Sequence, residues 1–465
     1  MPYRATMIRG LGLRGAIAVD MITMIGIGPL VTIPLVLSAL HGGAALAAWI
    51  VGALIAICDG LVWAELGARL PGSGGTYRYL REAFGRNGAG RMLSFLFVWQ
   101  FVISAPLLLA SGYIGFAQYA GYLWPALGAS SLLQGLLAAS VGLVTIALLY
   151  RDIVRVAAIA TGLWIVALAT LAAVTIAGLQ HFAAANLAVP HDATTTGGAF
   201  PGAAALAGLG VALVITLYDY AGYGEVCFVA DEVVAPARTI PRAIVWAILL
   251  TAAFYLALQV AVLGAVPWQR LVATAPGGAP PDAALFVAST VVEHAWGAWP
   301  ARGVTALILV VAFASTFGNL LGMSRIPYAA ALDGAFFAPF ARLHPTGRFP
   351  AVALVTIGLI ALPAAFLPLG AVIGALTAGL VLAQSLAQIA AVVLLRRRHG
   401  ASPYRMWLYP LPAIVAALGW TFIFASSGNA SMLFGAITLA AGCAIYLLRA
   451  RRSLEWPYLV ARRGA

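Results

Sequence analysis

The chain has 465 residues, of which 63% are hydrophobic and only 9% are charged. Soluble domains average roughly 45 to 50% apolar and about 25% charged residues, so this composition excludes an ordinary soluble protein and indicates a polytopic membrane protein. The net charge of +12 is of the kind that nucleic-acid-binding proteins carry, but the positions of the arginines give it another explanation.

Twelve apolar runs, bounded by charged residues, glycine or proline, predict twelve membrane spans. In chain order they cover residues 16–40, 44–67, 91–119, 130–149, 153–179, 203–230, 240–265, 303–332, 350–367, 370–395, 406–426 and 431–448. No stretch between them is long and polar enough for a soluble domain, so we expect a single transmembrane domain over residues 1–465. The basic N-terminus resembles the start of a signal peptide, but its apolar run is too long and lacks a cleavage site. We interpret it as a retained first span.

The basic residues are all arginines, and they lie almost entirely in alternate loops. With the N-terminus on the cytoplasmic side, the cytoplasmic segments hold 24 of the 26 arginines, and only Arg270 and Arg302 fall outside. Cytoplasmic loops of membrane proteins carry an excess of basic residues, so this bias predicts cytoplasmic N- and C-termini. It also accounts for the positive charge without a nucleic acid partner.

Spans one and six are both interrupted near their middle, by GIGP at Gly26–Pro29 and by AGYG at Ala221–Gly224. Glycine weakens a helix, and proline removes a backbone donor and clashes with the preceding turn. The two spans begin two halves of five spans each, and because five is odd the second half enters the membrane from the opposite side. Interrupted spans at corresponding positions of two inverted halves are the best sequence indication of a transporter's central site.

A helix that breaks at mid-membrane exposes N–H groups where one half begins and carbonyl groups where the other half ends. Such groups are costly in lipid unless a ligand, water or protein partner satisfies them. A substrate with a carboxylate and an ammonium satisfies both kinds. The alternative is a kink that only helps packing, which fits either break alone better than it fits the matched pair.

The segment AELGARLPGSGGTYRYLREAFG, Ala64 to Gly85, follows span two. It resembles the cytoplasmic signature of the amino acid-polyamine-organocation (APC) superfamily of permeases. Further similarity lies in EVVAPARTIPRAI after span six, in SRIPYAAALDGAFFAPF and HPTGRFP after span eight, and in FLFVWQ of span three. The Tyr150–Arg151 pair at the entry to span five is most similar to L-type amino acid transporters and polyamine permeases.

This resemblance implies an all-α integral membrane protein with a LeuT-like five-plus-five inverted repeat and discontinuous helices one and six. The first repeat would cover residues 16–179, the second 203–395, and two additional helices would lie in 406–448.

The resemblance also implies a substrate site at the two breaks, where the family binds the substrate carboxylate with N–H groups and the amine with carbonyl groups. Carried over position by position, the substrate-binding residues are Met24, Gly26, Ile27, Gly28, Tyr218, Ala221 and Gly222. Ile27 and Gly28 would donate N–H groups, and Met24, Tyr218 and Ala221 would offer carbonyls. Tyr218 also falls where the family has an aromatic gate, although core packing fits this side chain equally well.

Two features depart from the family pattern. Relatives often carry serine where this chain has Ile27, and Pro29 has no N–H to donate, so the anion site has fewer donors. Asp219 and Glu225 flank the span-six break, where many relatives have neutral residues. A charged side chain near the bilayer centre costs about 2.5 to 3.5 kcal/mol on insertion scales and is by default a functional-site hypothesis.

Three roles fit Glu225: binding a coupling proton, pairing with a cationic substrate, or a protonated structural group. Asp219 stays open between a functional and a structural role. Trp164 stands where some proton-coupled relatives carry a lysine, which excludes a lysine-based mechanism. Ser315 and Thr316 of span eight are the candidates for a sodium site, although such residues more often bond to the helix backbone. We expect protons rather than sodium, with uncoupled exchange still open.

Two further acids, Asp20 and Asp59, and three cysteines lie within the spans. Asp20 lies near the cytoplasmic end of span one, where solvation or pairing with arginine is expected, and Asp59 lies deeper in span two. The three cysteines are far apart in apolar segments, so we expect buried thiols, no disulfide and no metal site. No cofactor is expected.

The sequence therefore predicts a secondary active transporter that moves amino acids by alternating access as a proton-coupled symporter. Its partners would be a small amino acid or amine, protons and the lipid bilayer. Arginine without lysine, with abundant alanine and glycine, is typical of a GC-rich bacterium, which places the chain in the inner (plasma) membrane. The alternative is a polyamine or other cationic amine permease or exchanger. A membrane enzyme is a remote alternative, because the six histidines lack ligand spacing, and a permease-like sensor is equally remote.

Overall fold

The computed structural model describes residues 10–72, 74–128, 130–150, 153–189, 201–273, 281–345, 349–398 and 402–458, without the side chains of 153–164 and 201. The side chain of Trp164 therefore lies outside the described part of the chain. Of the Tyr150–Arg151 pair, Tyr150 is described and Arg151 is not. In chain order the helices are α1 (Leu13–Met24), α2 (Gly28–Ala39), α3 (Ala45–Arg69), α4 (Thr76–Ala83), α5 (Ala89–Leu123), α6 (Pro125–Gly128), α7 (Ser131–Leu149), α8 (Ile153–Gln180), α9 (Pro201–Tyr220), α10 (Glu225–Phe228), α11 (Pro236–Ala265), α12 (Asp282–Leu285), α13 (Val287–Trp296), α14 (Ala298–Met323), α15 (Arg325–Leu332), α16 (Ala351–Ala364), α17 (Leu369–Leu380), α18 (Ala387–Arg398), α19 (Leu411–Ser426) and α20 (Asn429–Ser453).

The described residues contain eight helical segments, of 19 to 35 residues, that are long and apolar enough to cross a membrane. A ninth arises if α1 and α2, whose axes differ by 51°, form one broken span. Three shorter apolar helices, Ile165–Gln180, Ala351–Ala364 and Leu411–Ser426, coincide with the expected spans five, nine and eleven. The chain is thus an all-helical multi-pass membrane protein, and the number twelve and the inverted repeat stay predictions.

Span one is broken where the sequence predicts it. The last helical residue of α1 is Met24, and the N–H of Gly26 donates a hydrogen bond to the Met24 carbonyl at 3.1 Å. The second half, α2, begins at Gly28 with Pro29 as its second residue, where a missing N–H costs nothing because the first N–H groups of a helix have no intrahelical acceptor.

Span six is broken as well, but unequally. The long half, α9, ends at Tyr220, and Gly222 has a φ of +117°, a conformation open to glycine and rarely to other residues. The second half, α10, has only four residues before the chain passes into a 3-10 turn at Ala230–Glu232. The expected second half-helix is therefore a single turn.

Span ten contains a feature that the sequence did not predict. Between α17 and α18 the backbone widens into a π-type turn over Val381–Leu386. Such turns occur often at functional sites. Packing places this span near the breaks, because α17 contacts α9, while α1 and α3 both pack along α11 and α2 packs along α9.

A buried carboxylate joins the end of span two to the end of span ten. Glu65, near the end of α3, is fully buried. Its two oxygens accept hydrogen bonds from Nε and Nη2 of Arg396 at the end of α18, the first at 2.7 Å, and one oxygen also accepts from the Met406 N–H at 2.9 Å. The guanidinium of Arg396 lies 3.8 Å from the ring centre of Tyr409. This ion pair fixes the ends of spans two and ten to each other.

Candidate functional site

Hydrogen bonds hold the two breaks against each other. The hydroxyl of Thr23, one residue before the end of α1, lies 3.1 Å from the Gly222 carbonyl oxygen and 2.8 Å from the Asp20 carbonyl oxygen of its own helix, so the two carbonyls share this donor. The Val226 N–H of α10 donates to the carboxylate of Asp20 at 2.8 Å. The sequence predicted that Asp20 would be solvated or paired with an arginine. Instead Asp20 is fully buried and bonds to the second half of span six, and it pairs with no arginine in the described part of the chain.

The ends of α1 and α9 share one further donor. The hydroxyl of Tyr255, on α11, lies 2.6 Å from the Met24 carbonyl oxygen and 3.3 Å from the Asp219 carbonyl oxygen. Met24, predicted to face the substrate amine, thus has its carbonyl oxygen bonded to Tyr255 and to the Gly26 N–H.

The turn between α1 and α2 is closely packed. Ile27 is 1% exposed, and its side chain fills the space over Gly115 of α5. A Cβ placed on Gly26 would lie 2.5 Å from Oγ of Ser315, so the hydroxyl of Ser315 sits directly on the break. Among the described residues no backbone acceptor receives the N–H of Ile27 or of Gly28. These are the two groups predicted to bind a carboxylate.

A carboxylate of the protein lies at this place. Asp219, in the last turn of α9, is 3% exposed, and its Oδ2 accepts a hydrogen bond from Oγ1 of Thr32 on α2 at 2.6 Å. Its Oδ1 is buried without a hydrogen-bond partner in the described chain, and it would lie 2.2 Å from a Cβ placed on Gly28. The Asp219 carboxylate therefore lies against the first residue of α2.

Tyr218 separates the start of α2 from a cavity. Its hydroxyl bonds to the Ser111 hydroxyl at 2.7 Å, and its ring covers Gly28, with Cε1 at 3.3 Å from a Cβ placed there. The side chain is 8% exposed and lines the cavity on its other side. This placement suits both of the roles predicted for Tyr218, a gate and a packing residue.

The cavity has a volume of about 120 Å³ and lies beside the span-six break. Of the predicted site residues, four line it: Tyr218, Ala221, Gly222 and Glu225. The span-one residues predicted to bind substrate, together with Asp219, Ser315 and Thr316, are not among its lining residues. The structure thus brings the span-six residues to a cavity and leaves the span-one residues packed behind Tyr218 and Asp219.

Several residues of this cavity were not predicted as site residues. They are Asp59 and Trp63 of α3, Tyr223 and Phe228 of span six, Thr377, Gln384 and Ser385 of span ten, and Trp420 of α19. Oδ2 of Asp59 accepts a hydrogen bond from the Tyr223 hydroxyl at 2.7 Å. A signal existed for some of them, because Asp59 is an acid within a span and Gln384–Ser385 is a polar pair in an otherwise apolar run.

Glu225 is the acidic group most available to a ligand. Its side chain lines the cavity, and Oε2 would lie 3.6 Å from a Cβ placed on Gly322 of α14. No hydrogen bond to its carboxylate occurs within the described residues. The group therefore faces both the cavity and span eight.

Ser315 and Thr316, predicted as a possible ion site, make different contacts. Ser315 lies on the span-one break and accepts a 3.4 Å hydrogen bond from the Asn319 side chain. Thr316 bonds instead to the Phe313 carbonyl of its own helix at 2.9 Å, and its methyl group packs on Gly112 of α5. The two hydroxyls thus have different surroundings.

Comparison with known proteins agrees with this architecture. A family model described as amino acid permease matches residues 11–448. An uncharacterised transporter of Mycobacterium tuberculosis is 30% identical over 447 residues, covering 95% of this chain and 91% of that protein. Cationic amino acid transporter 4 of Mus musculus is 27% identical over 403 residues, covering 82% and 58%, and the serine/threonine exchanger SteT of Bacillus subtilis is 24% identical over 399 residues, covering 82% of each. These relatives are transporters rather than enzymes, and the chain belongs to the amino acid permease family.

Proposed function

We propose that this protein is a secondary active transporter of amino acids or related amines that works by alternating access around its two broken spans. The observation that carries the proposal is the hydrogen-bonded junction of the breaks beside a cavity lined by Tyr218, Gly222 and Glu225. Breaks in two spans at one place in the membrane provide polar backbone groups where a small polar solute needs them. Membership of the amino acid permease family supports the same substrate class.

We further propose that transport is coupled to protons through Glu225. A carboxylate within the membrane is costly when charged, and Glu225 lines the cavity without a hydrogen-bond partner in the described chain. Such a group can take up a proton when the cavity opens to one side and release it when the cavity opens to the other. Coupling through sodium has less support, because Thr316 is bonded within its own helix.

A second candidate substrate, a cationic amine, is favoured by the cavity itself. Two acidic side chains, Asp59 and Glu225, line it, together with the rings of Trp63, Phe228 and Trp420. Ammonium groups bind favourably to carboxylates and to aromatic faces. One of the relatives is named as a cationic amino acid transporter. The proposal includes a location in a bacterial inner membrane, which rests on the lysine-free, alanine- and glycine-rich composition, and cytoplasmic termini, which rest on the distribution of the arginines.

Uptake into proteoliposomes tests the proposal. The purified chain is reconstituted, and uptake of labelled amino acids and of putrescine is measured with an imposed pH gradient, with a sodium gradient and with neither. We expect uptake above that of protein-free liposomes, accelerated by the pH gradient and not by sodium. If no amino acid or amine moves under any gradient, and none exchanges, the transporter proposal is wrong.

A further inference from the structure

The start of α2 is an anion-binding position. A helix of twelve residues begins at Gly28, and its first N–H groups carry the positive end of the helix dipole. The N–H groups of Ile27 and Gly28 donate to no backbone acceptor among the described residues, and no side chain caps the helix. A carboxylate from a substrate would be stabilised at this point.

One of the protein's own carboxylates is packed beside the first residue of α2. Asp219 comes from α9 and is fixed by the hydroxyl of Thr32, one turn into α2. Its Oδ1 packs so closely on Gly28 that a Cβ at this residue would lie 2.2 Å away. Only glycine at position 28 leaves space for the Asp219 carboxylate in this position.

A substrate carboxylate at the same N–H groups would meet Asp219 at short range. Two carboxylates that share one buried site repel each other strongly, and one of them has to be neutral. A cation meets the opposite situation, because Oδ1 of Asp219 has no hydrogen-bond partner in the described chain. Asp59 and Glu225 add two further acidic groups in the adjoining cavity.

We propose that the carboxylate of Asp219, packed against Gly28, keeps a substrate carboxylate away from the start of α2, so that the transported compound is an organic amine without a carboxyl group. This inference rests on the proposed transport function and narrows its substrate class. Asp219 acts as a specificity-determining residue: its charge disfavours amino acids and favours the corresponding decarboxylated amines. The ammonium binds in the adjoining cavity, which Asp59 and Glu225 line.

Matched compounds that differ only by the carboxyl group test this proposal. The pairs are lysine and cadaverine, arginine and agmatine, and leucine and isopentylamine, each labelled and supplied to proteoliposomes that contain the full chain. We expect the amine of at least one pair to enter at least about tenfold faster than its amino acid, which corresponds to about 1.4 kcal/mol of discrimination. An amino acid that enters as fast as its amine, or faster, overturns the inference and leaves the transporter proposal intact. If no member of any pair moves, the transport function fails and this inference fails with it.

The variant Asp219→Asn tests the residue assignment. Asparagine keeps the size of the side chain and an acceptor for Thr32 but removes the negative charge. We expect the preference for amine over amino acid to fall about tenfold or more, chiefly through faster uptake of the amino acid. Asp59→Asn is the matched comparison, because it removes a cavity charge away from α2 and should slow the amine without accelerating the amino acid. An unchanged preference in Asp219→Asn contradicts the role of Asp219, and the wild-type comparison of the pairs stands even if the variant does not fold.

Discussion

The hydroxyl oxygen of Tyr255 lies 2.6 Å from the carbonyl oxygen of Met24 and 3.3 Å from the carbonyl oxygen of Asp219. Met24 ends α1 and Asp219 lies in the last turn of α9, so one side chain of α11 serves the carbonyl ends of both broken spans. Unpaired carbonyl groups at this depth of the membrane would be costly. The hydroxyl therefore stabilises the junction at which we place the substrate site.

The substitution Tyr255→Phe removes this hydroxyl and keeps the ring. A typical hydrogen bond contributes about 0.5 to 1.5 kcal/mol net, and the Met24 carbonyl keeps its bond to the Gly26 N–H. We therefore expect a modestly lower free energy of unfolding in detergent and slower uptake. Tyr446→Phe is the control, because it removes one tyrosine-to-carbonyl hydrogen bond, to Trp456 at 2.9 Å, away from the breaks. Equal effects of the two substitutions on uptake would argue against a role for the junction in transport.

The substitution Gly222→Ala tests the geometry of the span-six break. With φ at +117° and the Thr23 hydroxyl oxygen 2.8 Å from the place of a Cβ, alanine has neither the backbone freedom nor the space. The strain is of the order of 1 to 3 kcal/mol, and we expect uptake to be lost or strongly reduced while the protein still inserts.

The control for this change is Gly318→Ala on α14. A Cβ there would have its nearest neighbour, Ile22, at 3.9 Å, which is ordinary contact. Uptake by Gly318→Ala should remain close to that of the wild type. A Gly222→Ala protein with normal uptake would contradict the assignment of this break to the transport site.

The substitution Glu225→Gln separates coupling from substrate binding. The glutamine cannot carry a proton in and out as a carboxylate does, so we expect uptake driven by a pH gradient to be lost while exchange of substrate across the membrane continues. Both are measured in the same proteoliposome preparation. Selective loss of binding for cationic compounds would instead favour direct pairing with an ammonium group, and unchanged gradient-driven uptake would contradict both roles.

The substitution Glu65→Gln tests the buried ion pair with Arg396. The Glu65 side chain is 0% exposed and that of Arg396 is 17% exposed, and removal of one partner from such a pair costs about 3 to 5 kcal/mol. We expect a large drop in thermal stability in detergent. Glu82→Gln, which breaks the solvent-exposed pair with Arg86, should change stability little. Equal effects of the two would show that burial of Glu65 does not strengthen its pair.

Much of the span-one break could be predicted from the sequence, because its cause is local. Glycine and proline act within one turn of helix, and α1 ends and α2 begins at the expected residues. The same reasoning predicted the position of the span-six break but not the length of its second half. The second half is a single turn that ends before Val229. No glycine or proline stands there, so the sequence gives no sign of this end.

The cavity and the contact of Asp219 with α2 could not be predicted in the same way, because both are formed by residues far apart in sequence. Asp219 and Thr32 are 187 positions apart, and Asp59 and Tyr223 are 164 apart. These two contacts depend on the side-by-side packing of α2 with α9 and of α3 with α9. Sequence reasoning identified Asp219 as unusual, and only the structure placed its carboxylate against Gly28.

Alternating access is tested most directly by the accessibility of the cavity. In a background without Cys58, Cys227 and Cys443 that retains uptake, Ser385→Cys places one thiol in the cavity wall, and Ser453→Cys places one outside it as a control. We predict that a membrane-impermeant maleimide, added to either side in separate samples, labels Ser385→Cys from at least one side, and that transported substrate slows this labelling without affecting the control. A labelling rate at Ser385→Cys that is unaffected by a substrate in transit would contradict transport through this cavity.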